Sequence, residues 1–132
     1  MSRRRRFRAR TFWHSLRYAV AGLDYVVRTQ RNFRIHLALA ACVALAGVLT
    51  RLSPIEWMGV TLAIGLVWTA EILNTAIEAL GDLYTEGEFS LMAKIAKDAA
   101  ASACLVSALT AVVVGALAFG PHLAAWLRLS IP

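Results

Sequence analysis

The chain is poor in the residues from which soluble enzymes commonly build their sites. It has only two cysteines, Cys42 and Cys104, and two thiols with no metal-ligand spacing make neither a disulfide framework nor a zinc site. It has no glycine-rich phosphate loop, no protein-kinase catalytic loop and no Ser-His-Asp set. Charge is missing over long stretches: no charged residue lies between Trp57 and Ala70 or between Ala99 and Phe119. No internal repeat occurs. What remains is 59% hydrophobic over 132 residues, too apolar for an ordinary soluble domain of this size.

Three stretches read as membrane spans, because about 20 apolar residues cross a bilayer. Ile35 to Thr50 lies between Arg34 and Arg51, Pro54 to Leu80 contains Glu56, Glu71 and Glu78, and Ala99 to Phe119 is uncharged. The first is short and needs Asn32, Phe33 and a snorkelling Arg51 at its ends. A soluble helical bundle is the alternative for the first two; the third argues against it. Ser53-Pro54 marks a tight turn and helix start, Thr85-Glu86-Gly87-Glu88 a loop, and Gly120-Pro121 the end of the third span. The expected organisation is all-α: a basic tail over 1–11, one membrane-embedded domain over 12–120, and a short tail over 121–132. Phe12, Leu16, Val20, Leu23 and Val27 recur at helical spacing, as in an amphipathic helix lying in the membrane interface.

The formal net charge of +6 is crowded at the start, with Arg3, Arg4, Arg5, Arg6, Arg8 and Arg10 followed by Arg17, Arg28, Arg31 and Arg34; past Arg51 only Lys94, Lys97 and Arg128 are cationic. The positive-inside rule then places the N-terminus in the cytoplasm, the 82–97 loop inside and the C-terminus outside. The arginine run has no interleaved aromatics for nucleic acid, and anionic headgroups suit it better. It faintly resembles a twin-arginine export signal, but no uninterrupted apolar stretch or cleavage site follows.

Acids inside the second span are the strongest functional signal. An ionisable side chain at membrane depth costs about 3 kcal/mol or more and is a functional hypothesis by default. Glu71, Glu78 and Asp82 fall within about 40° of helical arc, with Asn74 beside them. A short loop returns Lys97 and Asp98 to the same level, and Glu88 lies within that loop. Acids for Mg²⁺, a lysine for phosphate and a deeper acid suit phosphoryl transfer to a molecule dissolved in the membrane, a reaction that needs positioning and charge neutralisation. The competing readings are structural pairing of Glu71 and Glu78 with Lys97 or Arg34, an ion-conducting oligomer, and an assembly factor acting through its basic tail. His36 reads as a headgroup-level contact.

The stretch Glu71-Ile72-Leu73-Asn74-Thr75-Ala76-Ile77-Glu78, then Asp82, then Ala93-Lys94-Ile95-Ala96-Lys97-Asp98-Ala99-Ala100, resembles the prokaryotic diacylglycerol kinase family, which includes undecaprenol kinases. Arg31-Asn32-Phe33-Arg34-Ile35-His36 resembles the approach to that family's first span, in the form of the undecaprenol kinase branch. Tyr18-Ala19 and Gly22-Leu23 fit its surface helix, and the resemblance runs from Phe12 to about Phe119. It implies a lipid kinase of the bacterial inner membrane that uses ATP and Mg²⁺, a homotrimer with active sites shared between neighbours. By position, Glu71 would be the general base for the lipid hydroxyl, and Glu78 would hold Mg²⁺. Asn74 would order the phosphates and Lys97 would meet the γ-phosphate with Asp98 beside it, while Asp82, Glu88 and Tyr18 would line the nucleotide site. Arg34 and Trp68 would flank the lipid. Two departures stand out: Gln30 occupies the position of a second metal-binding glutamate, and the loop between Asp82 and Lys97 is one residue longer than usual. The Arg31–His36 stretch tilts the substrate towards undecaprenol over diacylglycerol.

Overall fold

The computed structural model describes residues 11–130, with side chains through residue 128, and this part of the chain is helical apart from short connections. The four helices are α1 (Phe12–Thr29), α2 (Arg31–Thr50), α3 (Pro54–Thr85) and α4 (Leu91–Ser130). The last three are long and apolar enough to cross a membrane. The arginines before position 11 lie outside the described residues.

Local chemistry sets each boundary. Thr11 caps α1 by accepting from the His14 N–H, satisfying one of the free donors of a helix start. A single extended residue, Gln30, separates α1 from α2. Arg51 ends α2 in the left-handed region at φ 57°, while the Arg51 and Leu52 N–H groups return to the Val48 and Gly47 carbonyls, the paired closure of a Schellman ending. Two residues on, Ser53 and Glu56 form a capping box and Pro54 occupies the first turn, so α3 starts where the sequence predicts.

The ends of α3 and α4 differ from expectation. Helix α3 runs past Leu80 to Thr85, and α4 begins at Leu91. The connection is therefore residues 86–90, and both Asp82 and Lys97 sit on helices. Gly120-Pro121 does not stop α4, which continues through Pro121 to Ser130; most of the expected C-terminal tail is helix. Proline removes a backbone donor and strains the preceding turn, yet helices in membranes tolerate it where neighbouring structure holds both sides. Here Ala118 and Phe119 pack into a cluster on α3 before the proline, and His122 is tied to Glu56 just after it.

The core is a stripe along α3. Val60, Ala63, Val67, Glu71 and Thr75 are its buried residues, spaced by three and then four as one helical face requires. Helix α4 packs on α3 most extensively and α2 packs beside them. At the end of the bundle near the α2–α3 turn, Leu52, Val60 and Ala118 are buried with Val43, Trp57, Ile64 and Phe119 against them. Gly47 admits the Trp57 ring, whose carbons would lie 2.8 Å from any Cβ placed there. At the other end Phe33 is fully buried, its ring centroid 6.0 Å from that of Trp68.

Candidate active site

One place in the α3 stripe is taken by an acid. Glu71 is only 6% exposed, and its Oε1 lies 3.5 Å from Nε2 of His36 on α2. From α4 the Cys104 thiol lies beside Glu71. Thr75 donates to the Glu71 backbone carbonyl at 2.9 Å and so leaves the carboxylate untouched. One turn further on, Asn74 donates through Nδ2 to Glu78 Oε1 at 3.0 Å, while its own Oδ1 is buried without a partner. A buried amide oxygen left unpaired is costly, so this oxygen asks for a donor or a cation.

Away from the α3–α4 turn, on the far side of His36 from Glu71, lies an apolar groove of about 330 Å³. Its floor is Ile64, Val67 and Trp68; Leu39, Ala40 and Val43 wall it from α2, and Ala108, Val112 and Gly115 from α4. His36 belongs both to the groove and to the Glu71 contact. The Trp68 indole N–H is buried and unpartnered.

Towards the turn lies a second, polar pocket of about 280 Å³, lined by Asp82, Glu88, Lys97 and Asp98 among others. Lys97 crosses from α4 to α3 and donates to Asp82. Its aliphatic stem passes over Gly81, where a Cβ would come 2.8 Å from Cε. Asp98 is held by Lys94 one turn back on its own helix. Glu71 and Asp82 are eleven positions apart on α3, which separates the two levels by about 16 Å, with Asn74 and Glu78 between them.

A scan against protein-family models matches residues 17–119 to the family described as prokaryotic diacylglycerol kinase. The chain belongs to this family. It is 46% identical over 112 residues, 85% of its length, to an undecaprenol kinase of Bacillus subtilis (strain 168), covering 90% of that protein. It is 44% identical over 109 residues, 83% of its length, to a diacylglycerol kinase of Synechocystis, of which it covers 62%. Membership of this kinase family makes the chain a lipid kinase, implies ATP as the phosphoryl source, and with three candidate spans makes it a membrane protein.

Within this lipid kinase the expected site residues fall into the two levels just described. Glu71 and Trp68 share the deeper one, Asp82, Glu88, Lys97 and Asp98 share the turn pocket, and Asn74 and Glu78 bridge the two. Tyr18 and Arg34 are exposed on α1 and α2 and line neither pocket. Gln30 is half-buried at the α1–α2 break. Carried along the antiparallel helices from the His36–Glu71 contact, six residues back on α2 and seven forward on α3 are each about 10 Å, which brings Gln30 level with Glu78. Among the described residues no three acids, histidines or cysteines gather as a preformed metal site. The donor set nevertheless fits Mg²⁺: the Glu78 carboxylate and the orphaned Asn74 oxygen are hard oxygen donors one turn apart, and Mg²⁺ sites commonly use one or two carboxylates completed by phosphate and water.

Sequence reasoning read His36 as a headgroup-level contact and not as the neighbour of Glu71, and it missed the places of Cys104 and Gly81. His36 closes the resembling Arg31–His36 stretch, a signal that pointed to it; neither of the others carried one.

Proposed function

We propose that this lipid kinase transfers the γ-phosphate of ATP, with Mg²⁺, to the hydroxyl of undecaprenol. The observation that carries this reading is the position of Glu71: a buried carboxylate between an apolar groove on one side and a lysine-containing polar pocket on the other. A lipid alcohol approaches along the groove with its hydroxyl at Glu71, which takes the proton as general base. The nucleotide enters from the turn, where Lys97 leaves Asp82 for the γ-phosphate, and Asp98, Glu88 and Asp82 line the site. Asn74 orders the phosphates. Mg²⁺ would be held by Glu78 with the Gln30 amide level with it, and would neutralise charge on the phosphates. Tyr18 and Arg34 take part from neighbouring elements, Tyr18 towards the nucleotide and Arg34 towards the lipid headgroup.

In the proposed assembly three copies share their active sites. Helices α3 and α4 form a shallow groove lined with Ala70, Ala99, Ser102 and Ala103 on a face away from α2, and small residues of this kind let membrane helices approach closely. The N-terminus and the turn pocket face the cytoplasm of a bacterial inner membrane, the C-terminus faces outside, and α1 lies in the interface with Phe12, Leu16, Val20 and Leu23 exposed to it.

The 46% relative supports undecaprenol; the 44% relative supports diacylglycerol as the second reading. Transfer of radiolabelled γ-phosphate, with the two lipids presented separately in mixed micelles, decides. Label in undecaprenyl phosphate alone is the expected result. Label only in phosphatidic acid moves the assignment to diacylglycerol, and label in neither removes both.

A further inference from the structure

The apolar groove has a built inner end as well as a mouth. The Glu56–His122 contact and the packing of Ala118 on Val60 fix the register of α4 on α3; at equal helical rise they set Ser107 level with Glu71 and Gly115 within one residue of Ile64. The His36–Glu71 contact does the same for α2 and sets Val43 at that same level. His36, Trp68 and Ala108 therefore ring the mouth, and Val43, Ile64 and Gly115 ring the far end, seven residues or about 10 Å deeper. Beyond that ring Val43 and Ile64 pack against the Leu52–Val60–Ala118 cluster. Gly115 contributes no side chain to the ring, and a Cβ there would meet no atom within 4 Å.

We propose that the groove seats the hydrocarbon adjoining the lipid hydroxyl, and that Gly115 is a specificity-determining residue that sets how deep and how broad a chain is accepted. The proposal rests on the reading of Glu71 as the acceptor-side acid. Its occupant follows from continuity: the same groove that ends at the cluster begins at His36, which touches Glu71, so a chain lying in it delivers its polar end to the carboxylate. A second copy's helix has no polar end to offer there. The physics of selection differs from that of a soluble pocket. A lipid tail leaving the bilayer gains no hydrophobic free energy, since the acyl region is as apolar as the groove. Discrimination must come from fit, through dispersion contacts where the chain fills the space and overlap where it does not. An end lined by glycine beside the small side chains of Ala40, Ala108 and Ala111 has room for the methyl branches of a polyprenyl chain.

Gly115→Leu fills the end ring without meeting a neighbouring atom at its Cβ, and Gly115→Ala is a smaller step in the same direction. Both are assayed as the full chain in micelles against a ladder of prenols from geraniol to undecaprenol, with elution volume read alongside. The expected result is a break in the ladder. Chains too short to reach residue 115 keep wild-type kcat/KM, while longer ones lose about tenfold or more in Gly115→Leu, the scale on which apolar pockets discriminate single methylenes, and less in Gly115→Ala. A loss equal at every length, or no loss at all, overturns the proposal. A changed elution volume with a length-independent loss overturns it in favour of a second copy as occupant. If wild-type protein phosphorylates no lipid, the functional reading fails with it; if it does and the variants are blind to chain length, the groove assignment fails alone.

Discussion

Two glutamates on α3 each meet a histidine, and the two meetings are unlike. Glu56 at the start of the helix accepts from the Ser53 N–H at 2.7 Å, from the Ser53 hydroxyl at 2.8 Å, and pairs with His122 at 3.1 Å. Glu71, four turns on, is more deeply buried, yet its nearest histidine nitrogen is 3.5 Å away and no backbone N–H is directed at its carboxylate among the described residues. A carboxylate whose lone pairs are filled by its own helix start has its work already assigned: it caps and joins α3 to α4. One kept from water with incomplete partners is poised to accept a proton from a molecule not yet present. On the proposed reading, the same residue type on the same helix is structural at one level and reactive at the other because of what surrounds it.

The sharpest way to break this contrast is Glu71→Gln. The amide keeps the shape and loses the base, so kcat is expected to fall by about 10²–10⁴-fold, the range for a positioned general base. The melting temperature should stay near that of wild type, because no strong partner is abandoned. Near-wild-type turnover in this variant would remove the assignment. Glu78→Gln sharpens the contrast at the residues that bridge the two levels. If Glu78 and the Asn74 oxygen hold the cation, the Mg²⁺ concentration for half-maximal rate should rise at least about tenfold, the usual scale for disturbing a metal's surroundings. An unchanged Mg²⁺ titration would return Glu78 to a purely helical pairing with Asn74.

How much of this was readable from the chain depends on the range of the interaction. The turn and helix start at Ser53-Pro54 and the acid face of α3 are local, set by spacing on one helix, and both stand in the structure as read; the capping box that Glu56 adds there emerges only in the structure. The end of α3 was misplaced because Asp82 looked like a boundary, whereas Gly81, Asp82, Leu83 and Tyr84 continue the helix until Glu86 and Gly87 take positive φ. Pro121 was read by its local rule as a stop; contacts 60 or more residues away, to Val60 and Glu56, override it. His36 lay in a recognisable stretch, but its meeting with Glu71 is made across helices and leaves no periodicity to read. Lys97 was read as returning to the level of Asp82, and it reaches Asp82 on α3, with Gly81 leaving room for its stem in a way no spacing announces.

That last contact gives a smaller prediction. In Gly81→Ala the new methyl would stand where the Lys97 stem now passes, and the flexible lysine would swing aside with little loss of stability. If Lys97 serves the γ-phosphate, KM for ATP should rise several-fold with the melting temperature nearly unchanged. An unaltered KM would mean that Lys97 acts only as a pin between α3 and α4.

The smallest kinetic effect belongs to the other glutamate, and it completes the test. Glu56→Gln removes the charge that holds Ser53 and His122 but touches neither the groove nor the turn pocket. Gln can still close the capping box, so the loss is that of the charge on the Ser53 and His122 contacts, seen as a fall of a few degrees in the melting temperature in micelles, with kcat and both KM values unchanged at low temperature. Fraying should begin where α4 depends on that tie, so backbone amides near Pro121 should exchange with solvent faster than those near Ala108. If activity fell with Glu56→Gln as steeply as with Glu71→Gln, partner satisfaction would not separate a structural carboxylate from a reactive one in this protein, and Glu71 would lose its distinguishing argument.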